Sequence, residues 1–118
     1  MNNSSNKMAK IVYDAMDDKL AKDIKIIDIS KISVVADYFI IAEGSNRNQV
    51  QAIADNVEEF LGKAGYCTKS IEGYQAANWI SMDYNDVVVH VFHSEDRSFY
   101  DLERIWSDGV EIDPLDLK

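Results

Sequence analysis

The sequence predicts an α/β (α+β) domain in which a mixed β-sheet of about five strands is flanked by helices. Three segments carry apolar residues at helical spacing, and short apolar or alternating runs lie between them. Residues 79–83 and 87–92 are two such runs joined by three residues, which predicts an antiparallel hairpin. The run DYFIIA at residues 37–42 is apolar on both faces, as in a central strand covered on both sides.

The helices follow from periodicity and from their end signals. Residues 8–20 place apolar side chains at i, i+3, i+4, i+7 and i+8, so they form one stripe of a first helix. The second helix begins after Gly44, with Ser45 or Asn46 as its N-cap, and Gly65 suits a left-handed cap at its end. Its predicted buried stripe is Val50, Ile53, Ala54, Val57, Phe60 and Leu61. Ser94 can cap a last helix, whose apolar residues follow helical spacing as far as residue 106.

The remaining segments are short strands, a loop and the two ends. Residues 24–30 are rich in isoleucine and predict a strand, residues 68–72 predict a short edge strand, and residues 73–78 predict a loop. A chain of 118 residues fits one domain, which we place at residues 8–108. Residues 1–7 are polar and predicted to be disordered. Residues 109–118 form an acidic tail with the only proline, predicted to wrap loosely or to be disordered.

Net charge restricts the class of partner. The chain carries a net charge of -9, and its few lysines and arginines are not concentrated in any run. Direct and specific nucleic-acid binding is therefore not expected, because it needs a basic patch. Acidic character favours a basic partner, although it could equally serve solubility alone.

Composition also bears on the compartment. Cys67 is the only cysteine, so no disulfide can form within the chain, and a reducing compartment is the simplest expectation. No apolar run approaches the roughly 20 residues of a membrane span. The first residues lack the apolar middle of a signal peptide. We therefore expect a cytoplasmic protein without a membrane partner.

The turn at Gly44 and Ser45 is the first candidate site. A strand that ends in Gly-Ser and opens a helix can present backbone amides to a phosphate. Nucleotidyltransferases follow such a turn with two acidic residues that hold magnesium, but Asn46, Arg47 and Asn48 follow here. An ordinary capped turn is the expected structure, with a nucleotide-binding enzyme as the less favoured alternative. No Ser-His-Asp or Cys-His motif occurs in context, and we expect neither enzymatic activity nor a cofactor.

The strand at residues 79–83 is the second candidate. Alternation places Trp79, Ser81 and Asp83 on one face and the two apolar residues between them on the other. A tryptophan among polar neighbours is a candidate interface anchor, unless a helix covers it. The same alternation puts His90 and His93 on opposite faces, so a shared metal site is not expected.

Several segments, in order along the chain, together resemble the ribosomal silencing factor (RsfS, Iojap) family. The segments are residues 36–42, 44–47, 51–55, Glu72 with Gly73, the strand of Trp79, residues 86–92 and residues 97–106. The resemblance extends from about residue 8 to residue 106. It implies a fold like a nucleotidyltransferase core without the catalytic acids, which agrees with the acidic pair missing after Ser45.

The resemblance also implies a function and a partner. Members bind the large ribosomal subunit at its interface protein, large-subunit ribosomal protein fourteen. There they block joining with the small subunit and repress translation when nutrients are limiting. Organellar relatives act in large-subunit assembly, which is the alternative function. Members also form homodimers.

The family's binding surface includes the tryptophan strand and its neighbours. Carried over to this sequence, it gives the candidate partner-binding residues Trp79, Met82, Asp83, Tyr84 and His90, with Glu72, Gly73 and Glu95 at the rim. The two rim acids, Glu72 and Glu95, are inferred from charge, since acids there suit a basic ribosomal protein.

Overall fold

The computed structural model describes residues 3–34, 36–94 and 109–117, which form two α-helices and six strands. The helices are α1 (Asn3–Asp18) and α2 (Arg47–Lys63). The strands are β1 (Lys22–Asp28), β2 (Tyr38–Gly44), β3 (Ser70–Glu72), β4 (Trp79–Asp83), β5 (Val87–His93) and β6 (Val110–Ile112). A short 3-10 helix, Pro114–Asp116, follows β6.

The strands form one mixed sheet in the order β3-β4-β5-β2-β1-β6. Strands β2 and β5 are parallel, and the other neighbouring pairs are antiparallel. The predicted α+β class, the β4–β5 hairpin, the edge position of β3 and the interior position of β2 are all confirmed. The described residues contain one strand more than expected, because β6 pairs with the outer edge of β1.

Both helices pack on one face of the sheet, which we call the helix-side face. Asn46 caps α2, as its side chain accepts a hydrogen bond from the backbone N–H of Gln49 at 2.8 Å. The buried residues of the two helices and the helix-side face form one core, which includes Val12, Met16, Val50, Ile53, Val57, Leu61, Ile40, Ala42, Ile80, Met82, Val89 and Val91. The predicted stripe of α2 is confirmed, except that Phe60 is only half-buried.

The opposite face, which we call the second face, carries its own apolar cluster. Its buried members are Ile27, Ile29, Ala36, Ile41 and Phe92, and Phe39, Trp79 and Val88 pack against them half-buried. The sheet is therefore apolar on both sides at its centre, as the unbroken apolar run of β2 predicted.

The N-terminal prediction needs correction. Residues 3–7, expected to be disordered, form the first turns of α1. The Ser5 hydroxyl donates to the carboxylate of Asp37 at 2.5 Å, and the Tyr38 hydroxyl donates to the Asn6 side chain. Because residues 3–7 are polar, they carry no apolar side chains at helical spacing from which a helix could be predicted. Their hydrogen bonds to residues far along the chain are seen only in the folded structure.

The C-terminal prediction is corrected as well. The tail expected to be loose forms β6, and Asp113 caps the following 3-10 helix by accepting from the Leu115 N–H at 3.0 Å. Leu117 is 6% exposed and joins the helix-side core. The predicted helix after Ser94 lies outside the described residues.

Candidate partner-binding surface

Strand register brings several of the predicted residues onto the second face. Residues paired across a ladder lie on the same side of the sheet. Glu72 pairs with Ser81, and Ser81 pairs with His90. Trp79 lies two residues before Ser81, and Asp83 two residues after it, so both share this side. Glu72, Trp79, Asp83 and His90 therefore form one surface, although they come from three strands.

Trp79 is the centre of this surface. Its indole N–H donates to Nδ1 of His90 at 2.9 Å. Its ring stacks on Phe92 with 5.5 Å between ring centroids and 20° between planes. The side chain is half-buried rather than fully exposed. One side of the indole is thus fixed by protein contacts, which is the arrangement of a rigid anchor with little rotamer entropy to lose on binding.

His90 is a buried residue that contacts the Trp79 ring. It is 6% exposed, and its ring also meets Phe39 edge-on with 5.6 Å between centroids. Burial lowers the pKa of His90 to about 4, so the imidazole is neutral at neutral pH. Because the indole N–H can only donate, Nδ1 must be the acceptor and Nε2 carries the proton. We therefore assign His90 to holding the tryptophan rather than to contacting a partner.

Met82 and Tyr84 leave the predicted surface. Met82 points to the helix-side face and is 0% exposed, as its position between Ser81 and Asp83 requires. Tyr84 follows the end of β4 and turns inward to 4% exposure, where burial raises the pKa of its hydroxyl to about 12. Neither side chain presents surface to a partner.

The rim is partly described. Glu72 is exposed, and Asp83 is half-buried with one carboxylate oxygen accepting from the Asn85 N–H at 2.8 Å. Gly73 is exposed with φ of +81°, and its backbone lies against the carbonyl of Trp79. Glu95 lies outside the described residues.

Three residues of this surface were missed by sequence reasoning. Phe39 and Phe92 carry the ring contacts to His90 and Trp79, and Glu43 pairs with Phe92 in the ladder. Alternation groups Phe39 with Glu43 on one face of β2, and Phe92 with His90 on one face of β5. What alternation lacked was the parallel register of β2 against β5.

The Gly44 and Ser45 turn has the geometry of a capped helix start. The Ser45 N–H donates to the side-chain oxygen of Gln49 at 2.6 Å, and the same side chain donates to the carbonyls of Lys19 and Leu20. The amide that a phosphate would use is thus occupied by Gln49. This agrees with the prediction of an ordinary capped turn.

The described residues offer neither a metal site nor a membrane-spanning helix. Within residues 3–34, 36–94 and 109–117, no group of three or more histidine, cysteine or carboxylate side chains could hold a metal ion. His90 and His93 lie on opposite faces, as alternation predicted. Neither helix of the described part is long and apolar enough to cross a membrane.

Comparison with known proteins identifies the family. Residues 2–118 match the profile of RsfS, described as "Ribosomal silencing factor during starvation". The chain belongs to the RsfS family. The ribosomal silencing factor RsfS of Bacillus subtilis is 46% identical over 110 residues, which cover 93% of each chain. Membership confirms the resemblance drawn from the sequence motifs.

Other RsfS relatives extend the comparison to structure and to organelles. A crystal structure from Chromobacterium violaceum superposes with a TM-score of 0.85 at 34% identity, covering 91% of this chain and 88% of that one. The mouse protein named "Mitochondrial assembly of ribosomal large subunit protein 1" is 29% identical over 91 residues. That alignment covers 74% of this chain and 40% of the mouse protein.

Proposed function

We propose that this protein binds the large ribosomal subunit at its interface protein, large-subunit ribosomal protein fourteen. Bound there, it blocks joining with the small subunit and represses translation under nutrient limitation. Family membership supports the ribosomal role. The observation that carries the contact is the second face, where acidic Glu72 and Asp83 lie on the same side of the sheet as the half-buried Trp79.

The chemistry of this surface suits a basic protein partner. An indole held by a hydrogen bond and by ring stacking supplies a rigid anchor, of the type that dominates interface energies. The carboxylates of exposed Glu72 and half-buried Asp83 on the same face attract a positively charged partner and speed encounter. A net charge of -9 adds a long-range field of the same sign.

The proposed action is steric and non-enzymatic. Occupying the interface protein places this protein where the small subunit must dock, so no bond is made or broken and no cofactor is needed. The free protein is proposed to be a cytoplasmic homodimer that does not bind nucleic acid directly.

Sedimentation of purified ribosomal subunits tests this proposal. We expect the protein to migrate with the large subunit alone, and joined ribosomes to decrease as protein is added. Large subunits depleted of protein fourteen are the matched control and should not retain it. Absence from every ribosomal fraction would refute the proposal.

Large-subunit assembly is the second candidate, favoured by the name of the mouse relative. It would use the same surface on precursor particles instead of mature subunits. Gradient analysis of growing and starved cells separates the two functions. Association with precursors during growth supports assembly, and association with mature large subunits in starved cells supports silencing.

A further inference from the structure

The loop at residues 73–78 fixes the main chain of Trp79. Gly73 lies so close to this residue that a Cβ added to it would be 2.1 Å from the Trp79 carbonyl oxygen. The Ala77 N–H donates to the Gly73 carbonyl at 3.0 Å and closes the loop on itself. Asn78, the last loop residue, accepts a hydrogen bond on its carbonyl from the His93 N–H at 3.0 Å. The loop therefore packs directly against the start of β4.

One face of α2 holds this loop in place. Arg47, Gln51 and Asp55 are four residues apart and so lie in a row along the helix. Arg47 Nε donates to the Asn78 side chain at 2.9 Å, and Gln51 Nε2 donates to the Tyr74 carbonyl at 2.8 Å. The Tyr74 hydroxyl donates to the Asp55 carboxylate at 3.0 Å. These contacts tie both ends of the loop to a rigid element.

Trp79 is thus constrained from two directions. His90 and Phe92 hold its ring, whereas α2 holds the loop that leads into its main chain. The ring contacts lie on the second face, but Arg47, Gln51 and Asp55 belong to the helix packed on the helix-side face. These three residues can therefore affect the surface without belonging to it.

We infer that Gln51 and Asp55, through their hydrogen bonds to Tyr74, are positioning residues, which set the orientation of Trp79 and thereby the affinity for the ribosomal partner. The affinity part of this inference rests on the proposed function. A ligand that binds only one orientation of Trp79 has an apparent dissociation constant equal to the intrinsic one divided by the fraction of protein in that orientation. Loosening the loop lowers that fraction and weakens binding without removing any contact to the partner.

The test uses substitutions that keep side-chain size and remove one hydrogen bond each. Gln51→Met removes the donor to the Tyr74 carbonyl, and Tyr74→Phe removes the donor to Asp55. The double variant combines them. Gln75→Met is the matched control, because Gln75 is an exposed glutamine of the same loop.

Fluorine NMR of protein labelled with 5-fluorotryptophan reports the orientation of Trp79 directly. The chain has two tryptophans, and the signal lost in Trp79→Phe identifies the one of interest. In the double variant we expect this signal to shift or to split, while the other tryptophan signal stays in place. Thermal unfolding should remain cooperative, and Gln75→Met should match the wild type.

Binding to purified large subunits supplies the second readout. We expect the dissociation constant of the double variant to rise about fivefold to tenfold, as loss of one part-buried and one exposed hydrogen bond allows. Where the fluorine signal splits, part of the intensity remains at the wild-type position. The factor by which the dissociation constant rises should equal the inverse of that fraction of the intensity.

The outcomes separate the inference from the proposed function. An unmoved Trp79 signal in the double variant overturns the positioning role, whether or not affinity falls. A moved signal with wild-type affinity overturns the link to binding. If the wild type itself does not bind large subunits, the proposed function and the affinity part fail together, and the fluorine comparison alone decides the positioning role.

Discussion

Neighbouring residues of β4 have opposite environments, because successive side chains of a strand point to opposite faces. Trp79 and Asp83 lie on the second face, whereas Met82 is fully buried in the helix-side core. Two tryptophan contacts, the hydrogen bond to His90 and the stacking on Phe92, then fix the indole. Single substitutions on this surface therefore have separable effects on binding and on stability.

Trp79→Ala should weaken binding to purified large-subunit ribosomal protein fourteen by about 2 kcal/mol, roughly thirtyfold, as truncation of a central anchor does. Isothermal calorimetry measures this directly. Phe60→Ala is the control, since it truncates a half-buried ring on α2 across the sheet from Trp79. Equal affinity losses in the two variants would mean that the effect is general destabilisation.

His90 should make stability depend on pH. Its pKa is lowered to about 4 by burial, so the folded protein resists protonation that the unfolded chain accepts below about 6.5. The resulting stabilisation is complete above pH 6.5 and is lost as pH falls toward 4, by about 3 kcal/mol in total. His90→Gln keeps an acceptor but does not titrate.

Urea unfolding of both proteins at pH 7, 5.5 and 4.5 checks this. We expect the free energy of unfolding of the wild type, relative to that of His90→Gln, to fall progressively as the pH is lowered across that range. A constant difference in the free energy of unfolding would show that His90 protonates equally well in the folded protein.

Tyr84→Phe should not destabilise the protein. The Tyr84 hydroxyl is buried and has no hydrogen-bond partner in the part of the chain that the structure describes. Removing it spares the cost of desolvating an unpaired group, so the free energy of unfolding should rise by about 1 kcal/mol. Tyr38→Phe is the control. Its free energy of unfolding should fall by about 1 kcal/mol, because the Tyr38 hydroxyl donates a hydrogen bond to Asn6. Chemical denaturation of both variants gives the comparison.

Among the elements, α2 packs into the core with its apolar side and holds a loop with its polar side. Its apolar side, with Val50 and Ile53, fills the helix-side core. Its polar row holds the loop at residues 73–78, which has to pass close to the start of β4. Gly73 permits that passage, because it adopts a φ of +81° and has no side chain to meet the Trp79 carbonyl.

Gly73→Ala should lower the free energy of unfolding by about 3 kcal/mol, since it combines a left-handed backbone with a contact that must shift. Gly62→Ala is the control, because a Cβ there meets nothing within 4 Å and the residue lies within α2. That control should gain about 0.5 kcal/mol from helix propensity near the helix end. Similar unfolding free energies for the two variants would contradict the close approach.

For the whole molecule, charge is distributed so that acids lie on both the second face and the helices. Glu72 on β3 and Glu58 on α2 are both exposed, but only Glu72 borders the proposed contact. Replacing either residue by lysine changes the net charge by the same amount. A difference between the two variants therefore reports the attraction of the partner to charge near the proposed contact, as distinct from the attraction due to net charge.

Glu72→Lys should slow association with large subunits about threefold to tenfold at low salt, and Glu58→Lys should slow it less. The difference should shrink as salt rises, because screening acts over about 10 Å at 0.1 M. Stopped-flow binding at two salt concentrations measures both variants. Equal slowing would place the contact away from Glu72.

Local patterns predicted most of the fold, and distant contacts account for the rest. Periodicity located both described helices and the interior position of β2, because burial on one or both sides leaves its mark on neighbouring residues. It missed the first turns of α1, which depend on Ser5 reaching Asp37, and it missed β6, which depends on pairing with β1. Tyr84 was misplaced because the direction of a residue just beyond a strand depends on the turn.

The sequence by itself determined the type of most elements, the side of β4 on which Trp79 lies, the acidic charge and the family resemblance. These follow from spacing along the chain, which acts over a few residues. Only the tertiary structure decided that Glu72, Trp79 and His90 share one surface, and that α2 holds the loop before Trp79. Both depend on strand register and on contacts between residues far apart in the chain, which no local pattern encodes.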